Sequence, residues 1–197
     1  MIGQNLIRDL SLWAKPTLDV LVAGKASLHI VEFPWPAYVT AVFEKCWPLG
    51  FEMWGRLLSM ALMPLFFYFY FSFLKELAHD EEKAGHAAFF ACLSPAALIY
   101  FQSFQMDAWA LTCLAGSFYF FLRLLRTFSK KDHLFFTVLS VLTYLAKPHW
   151  LVYYPGFIYL AFLEGRIAFC WTPKLLFSFS VSAAFLGLWV WWNFFLV

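Results

Sequence analysis

Residues 57–74, LLSMALMPLFFYFYFSFL, run for eighteen positions without a charge. As a helix rising ~1.5 Å per residue this stretch covers ~27 Å, close to the ~30 Å hydrocarbon layer of a bilayer. Pro64 within it predicts a kink rather than a break, because neighbouring helices can re-satisfy the freed carbonyl. The rest of the chain has the same character. Of its 197 residues 63% are hydrophobic and 13% charged, where globular sequences average about 45–50% and about 25%. That leaves more apolar surface than one water-exposed fold can hide. The net charge of +2 comes without a basic run interleaved with aromatics, which sets nucleic acid aside as a partner. Cys46, Cys92, Cys113 and Cys170 show no CxxC spacing and read as small buried hydrophobes. The opening MIGQNLIRDLSLWAKP lacks the charged and apolar regions of a secretory signal.

Five more stretches follow: 84–104, containing His86 and Pro95; 108–122, extended by Leu124 and Leu125; 134–146; 150–163; and 175–197. About six spans are therefore expected, with Lys147-Pro148-His149 as a tight turn between the fourth and fifth. The loops 75–86, 123–133 and 164–174 hold eight Lys and Arg, and the intervening turns 102–107 and 147–149 hold one. By the positive-inside rule the three basic loops are cytoplasmic, and the other turns and the N-terminal segment lie outside. In the N-terminal segment, Ile2, Leu6, Ile7, Leu10 and Trp13 recur at helical spacing, and in 34–47 Trp35, Tyr38, Val39, Val42 and Phe43 do so. Both read as interfacial amphipathic helices, joined through 15–31 by an irregular loop. The expected protein is all-α and multi-pass in the plasma or inner membrane: 1–56 an extracytoplasmic region with two interfacial helices, 57–197 a transmembrane bundle.

Charges at the outer face carry the functional argument, since desolvating them is costly unless they pair or line a cavity. Asp107 opens a span, where the helix dipole also favours an acid. Lys147 and His149 flank Pro148, where a snorkelling lysine and a solvated histidine are the plain alternative. Glu32 precedes the second interfacial helix, a capping position. The topology brings Glu32, Asp107, Lys147 and His149 to one side of the membrane, and mixed acid and base at one depth suggests a site. Arg8 beside Asp9 reads more readily as a solvated pair, and Arg56, just before the first span, as a headgroup or phosphate anchor. His79 and His86 are too isolated for a metal. Trp189, Trp191 and Trp192 read as an interfacial belt.

The run Glu32-Phe33-Pro34-Trp35-Pro36-Ala37-Tyr38-Val39-Thr40-Ala41, followed by Gly55-Arg56-Leu57-Leu58-Ser59, resembles a motif pair of polyprenyl-phosphate-sugar-dependent glycosyltransferases with the GT-C fold. The nearest in pattern are the protein mannosyltransferase-like and aminoarabinose-transferase-like enzymes. Leu93-Ser94-Pro95 with 102–107, and Ala146-Lys147-Pro148, resemble further family motifs in the same order. Ile7-Arg8-Asp9-Leu10 resembles the helix that follows the family's principal acid. The resemblance thus implies a chain that begins after the family's first span and that acid, and stops before its later spans.

For the complete family the resemblance implies transfer of a sugar, with inversion, from a lipid-phosphate donor to an acceptor hydroxyl on a glycan, lipid or protein, at the outer face. Lys147 would stabilise the lipid phosphate as it leaves, with Arg56 and Arg8 as lesser candidates and His149 as a hydrogen-bond donor. Glu32 and Asp107 would orient sugar or acceptor hydroxyls, or share a divalent ion. Kinked aromatic spans would hold the isoprenoid tail. A catalytically inert partner subunit and a lipid or small-molecule transporter fragment are the competing readings. Cysteines placed at positions 32, 107 and 147 are expected to react with a membrane-impermeant maleimide from the same compartment; labelling from opposite compartments would end the shared-site reading.

Overall fold

The computed structural model describes residues 17–22, 25–28, 35–147 and 152–191. Two strands, β1 (Thr17–Val22) and β2 (Lys25–Leu28), pair antiparallel with a register irregularity between Leu18 and Leu21. They replace the irregular loop expected over 15–31. A run of Leu and Val followed after two residues by a second short strand was the available signal.

All further elements among the described residues are helical: α1 (Trp35–Cys46), α2 (Phe51–Ala78), α3 (Glu81–Cys92), α4 (Pro95–Gln102), α5 (Met106–Thr127), α6 (Lys130–Ala146), α7 (Tyr154–Leu163), a 3-10 turn (Ile167–Trp171) and α8 (Pro173–Trp191). Their starts are written in the sequence. Asp80 caps α3 by accepting from the Lys83 N–H, Ser94 caps α4 from Ala97 with Pro95 in its first turn, and Ser129 caps α6 from Lys131. The first apolar helix starts at Phe51, so the boundary expected at 56/57 falls inside α2, which continues through Pro64.

Two helices, α2 and α5, are long and apolar enough to cross a membrane, and α3 with α4 makes a third candidate whose halves meet at 61°. Tyr154–Leu163 and Pro173–Phe185 are shorter apolar segments. Six independent spans are therefore not what helix length and composition alone deliver. The two long helices differ in setting: 78% of the most apolar window of α5 is buried, against 11% for α2. α5 is the spindle of the bundle, packed by α2 and α6. α2 turns a face with Met60, Leu65 and Tyr68 outward, all exposed, a surface suited to hydrocarbon and unsuited to water. Gly116 of α5 sits against Phe69 of α2 and Leu139 of α6, where three helices come close.

The three basic loops gather at one end of the bundle. Arg126, at the end of α5, grips Glu164 after α7 with two bonds, Nε to Oε2 at 3.0 Å and Nη2 to Oε1 at 2.7 Å. Its Nη1 also donates to Glu76 of α2, to the carbonyl and to Oε2, each at 2.9 Å. Arg123 pairs with the buried Asp132 at 3.4 Å, and Thr127 Oγ1 donates to Asp132 at 3.0 Å. His133 Nε2 lies 2.6 Å from Ser178 Oγ and 3.0 Å from the Lys174 carbonyl, fastening α6 to α8.

Hydrogen bonding from Arg126 holds the Glu164 carboxyl below its ordinary value of 4.5. A carboxylate depressed in the fold adds stability above its unfolded pKa, and that share is lost as pH falls through the folded one. Glu164→Gln is expected to cost about 2 kcal/mol at pH 7, and the gap to wild type should close as the pH drops below about 4.5. Thermal unfolding in detergent across pH checks it; a gap that persists in acid would contradict the assignment.

Candidate functional site

At the opposite end, α5 begins at Met106 and α6 ends at Ala146, so Asp107 lies in the first turn of one helix and Lys147 is the C-cap of the other. Each position suits its charge, since a helix N-terminus favours an acid and a C-terminus a base. The two are 40 residues apart in sequence, yet Lys147 Nζ stands 3.5 Å from Asp107 Oδ2, with the side chains 19% and 20% exposed. The convergence expected from topology is met for this pair.

Three other expected residues, Glu32, His149 and Arg8, lie outside the described residues. Arg56 is described and is not brought to the pair: it forms an exposed ion pair with Glu52 one turn earlier on α2, at 2.6 Å. The inward-facing members of its motif are the small ones. Phe51, Gly55, Ser59 and Phe66 make up the buried stripe of α2. A Cβ on Gly55 would collide with the Phe104 ring, which packs edge-on against Phe51 with centroids 5.3 Å apart. Phe104 belongs to the turn that delivers Asp107, so Gly55 sets how closely that turn seats on α2.

Trp35 is a second positioning residue. Its Nε1 donates to the Leu142 carbonyl of α6 at 3.1 Å, and its ring meets Trp109 of α5 edge-to-face at 5.0 Å. Trp109 follows Asp107 by two residues and Leu142 precedes Lys147 by five, so the head of α1 is pinned near both members of the pair. Glu32 stands three residues before Trp35 in the sequence. The side of α1 that packs inward is Pro36, Ala37, Thr40 and Ala41, whereas Val42 is exposed. Of the face expected from Trp35, Tyr38, Val39, Val42 and Phe43, Trp35 and Val39 pack against the core, Tyr38 and Phe43 are half-buried, and the small residues between them are the most buried.

A cavity of about 710 Å³ is walled by α2, the bent α3–α4 pair, α5 and α7, with neither Asp107 nor Lys147 in its lining. Its α5 wall is Leu111, Leu114, Ala115 and Phe118. These stand four, seven, eight and eleven residues after Asp107, the spacing of one helix face, so Asp107 heads the stripe that lines the cavity. Phe66, Tyr70, Phe73 and Leu77 form the α2 wall, and Tyr153, Gly156 and Tyr159 stand on the α7 side. Tyr153 and Tyr159 remain exposed, so the cavity opens there. Its far limit, at Leu77 and Leu163, adjoins Glu76 and Glu164, which Arg126 ties together. The result is an apolar, aromatic groove whose α5 wall lies between an ion pair at the start of that helix and an arginine clasp at its end.

No three His, Cys, Asp or Glu cluster among the described residues; Glu32, the other carboxylate expected to share an ion with Asp107, lies outside them. Cys92, Cys113 and Cys170 are buried free thiols, as their setting in apolar runs implied, while Cys46 is exposed. Comparisons with known proteins add no identity: no family model, no curated protein and no solved structure matches the chain.

Gly55→Ala is expected to push Phe104 aside and cost about 1–3 kcal/mol, the usual range for overpacking. Phe104→Ala in the same chain should make Gly55→Ala nearly neutral. Double-mutant unfolding in detergent reads the coupling, and additive effects would detach Gly55 from the turn that carries Asp107.

Proposed function

We propose that the chain is, or is part of, a membrane glycosyltransferase of the GT-C kind, moving a sugar from a polyprenyl-phosphate donor to an acceptor hydroxyl. The observation that carries the reading is the part-buried Asp107–Lys147 pair at the start of the helix whose following turns wall an apolar groove. A polyprenyl phosphate has the matching form, a charged end on a long hydrocarbon. The groove's α7 side, from Tyr153 to Leu163, spans ten residues, ~15 Å at helical rise, enough to shelter the first few isoprene units. Burial of that length of apolar chain supplies binding energy, and Lys147 supplies the charge that selects phosphate. The six-span arrangement belongs to this reading, with α6, α7 and α8 crossing beside the longer helices and the basic loops in the cytoplasm.

In the reaction the bond between the sugar C1 and the phosphate oxygen breaks, its electron pair staying on the phosphate. The acceptor oxygen bonds C1 from the opposite face and gives its proton to a carboxylate. Lys147 meets the charge that grows on the phosphate, in a poorly hydrated setting where a fixed cation acts strongly. Asp107 holds a sugar or acceptor hydroxyl, and Glu32, close in sequence to the pinned Trp35, is this chain's candidate for the second carboxylate. The resemblance of the Glu32–Ala41, Gly55–Ser59 and Ala146–Pro148 runs to the family supports the same assignment.

Reconstituted chain supplied with a radiolabelled polyprenyl-phosphate sugar is expected to lose transfer by about 10²-fold or more in Lys147→Ala or Asp107→Ala, with membrane insertion intact. Lys147→Ala should also weaken retention of unlabelled polyprenyl phosphate. Unchanged turnover and unchanged retention would remove both residues from the site.

A further inference from the structure

The reversal that joins α1 to α2, Trp47-Pro48-Leu49-Gly50, carries its apolar side chains outward. Trp47 is 65% exposed, Leu49 and Met53 are about half exposed, and Trp47, Pro48, Leu49 and Trp54 border one shared recess. The backbone beneath them is tied down. Glu44 Oε2 accepts from the N–H groups of Leu49 at 3.2 Å and Gly50 at 2.8 Å, and Trp54 Nε1 donates to the Trp47 carbonyl at 2.6 Å. The Trp47 N–H donates to the Phe43 carbonyl at 2.9 Å, and the Phe43 and Trp54 rings meet at 5.2 Å. Gly50 takes φ 109°, a backbone setting that suits glycine. Backbone groups satisfied inside a turn need no water, so this turn enters a poorly hydrated layer at little cost.

The apolar surface continues past the turn. Met53, Leu57, Met60, Pro64 and Tyr68 are all exposed, and their spacing sets them in one stripe along α2. This is the face that α2 turns toward hydrocarbon, so Trp47 and Leu49 extend a lipid-facing surface and do not form a separate patch. α2 is also longer than the layer it crosses: its 28 residues rise ~42 Å, against ~30 Å of hydrocarbon and ~40–45 Å with the headgroups. With the uncharged run 57–74 in the hydrocarbon, residues 51–56 and the turn before them stand at headgroup depth, where tryptophan collects because its ring is apolar and its N–H is not. Glu52 and Arg56, beside the stripe, pair with each other at 2.6 Å and leave no net charge there.

We propose that the α1–α2 turn is a membrane anchor, with Trp47, Leu49 and Met53 seated in the headgroup–acyl boundary of the leaflet at this end. Helix α1, expected to lie in the interface along its length, gives Trp35 and Val39 to the core and leaves lipid contact to its far end and to the turn. Two residues after Leu49, the buried Phe51 packs against Phe104, itself three residues before Asp107. The depth of the turn is thereby passed to the residues that deliver Asp107. The proposal rests on α2 crossing the bilayer and is independent of glycosyl transfer.

Nitroxide labels are attached one at a time through Leu49→Cys, Met53→Cys and Met60→Cys in the full chain carrying Cys46→Ser, the other three thiols being buried, and each protein is reconstituted in phosphatidylcholine vesicles. Electron paramagnetic resonance then compares collision with oxygen, which concentrates in hydrocarbon, and with a water-soluble nickel chelate. Labels at positions 49 and 53 should lie ~5–10 Å into the headgroup–acyl boundary, and the label at position 60 deeper. Trp47→Ser keeps the carbonyl that Trp54 uses and should move the label at position 53 toward water. Nickel access above oxygen access at 49 and 53 would put the turn in water and overturn the anchor. Low access to both reagents would mean protein cover, and spin–spin broadening between neighbouring chains a second copy; either result overturns lipid contact. Nickel access at position 60 as well would remove α2 from the bilayer and the proposal with it.

Discussion

Apolar surroundings do not tolerate an unpaired charge, and α5 is where this chain meets that constraint most directly. It is the most buried long helix, and the residues that leave the apolar zone at its two ends are ionic. Asp107 pairs with Lys147 at one end; Arg126 is shared between Glu76 and Glu164 at the other. From Ala108 to Leu122 α5 carries no charge, and its hydroxyls bond within the helix, as Thr112 does to Ala108 and Ser117 to Cys113. The other helices are positioned by what they offer these two ends.

This arrangement also explains why a groove survives in a bundle so rich in aromatics. α2 and α7 both wall the cavity, and the polar link between them runs through Arg126 at the end of α5. A further wall is the α3–α4 pair, whose 61° bend follows from Ser94-Pro95. Proline disfavours the helical conformation of the residue before it and lacks the N–H that would continue the ladder. The bend leans α4 onto α2, where Phe101 packs at 5.5 Å from Phe66. An aromatic lining with phenolic tips gives such a space a surface that is apolar in the middle and wettable at its mouth.

Much of the helical plan could be read from the chain because each apolar run ends in a charge or a capping residue. Over the described residues the expected stretches fall on helices or a bent helix pair, and the loops grouped by their basic residues share one end of the bundle. That grouping put Asp107 and Lys147 on one side; their pairing came from the packing of α5 and α6. What could not be read depends on contacts between distant segments. Nothing local in Arg126 distinguishes it from Arg123 beside it, and only the arrival of Glu76 and Glu164 gives it three helices to hold. Arg56 drew attention as the charged member of its motif, yet Gly55 and Ser59 face inward, because tight helix packing is decided by the absence of bulk. α1 shows the same rule in part: Trp35 and Val39 of the expected face do pack inward, while the small residues between them are the most buried.

In the proposed reaction the partner exchange at Lys147 gives the outer site its logic. The Lys147 ammonium stands 3.5 Å from Asp107, so each is the other's counter-charge before a donor arrives. A lipid phosphate entering the groove head brings more negative charge than Asp107 carries, and that charge grows as the sugar bond breaks. Lys147 is drawn toward the phosphate most strongly when the leaving group is most charged, which is the condition for lowering the barrier rather than merely tightening binding. Asp107, losing its cation by the same step, becomes a stronger acceptor for a hydroxyl next to the reacting carbon. Binding of the donor and readiness of the carboxylate are thereby coupled through one pair of side chains. The first-turn position of Asp107 keeps that carboxylate in place when Lys147 turns away, since the helix N-terminus continues to stabilise its charge.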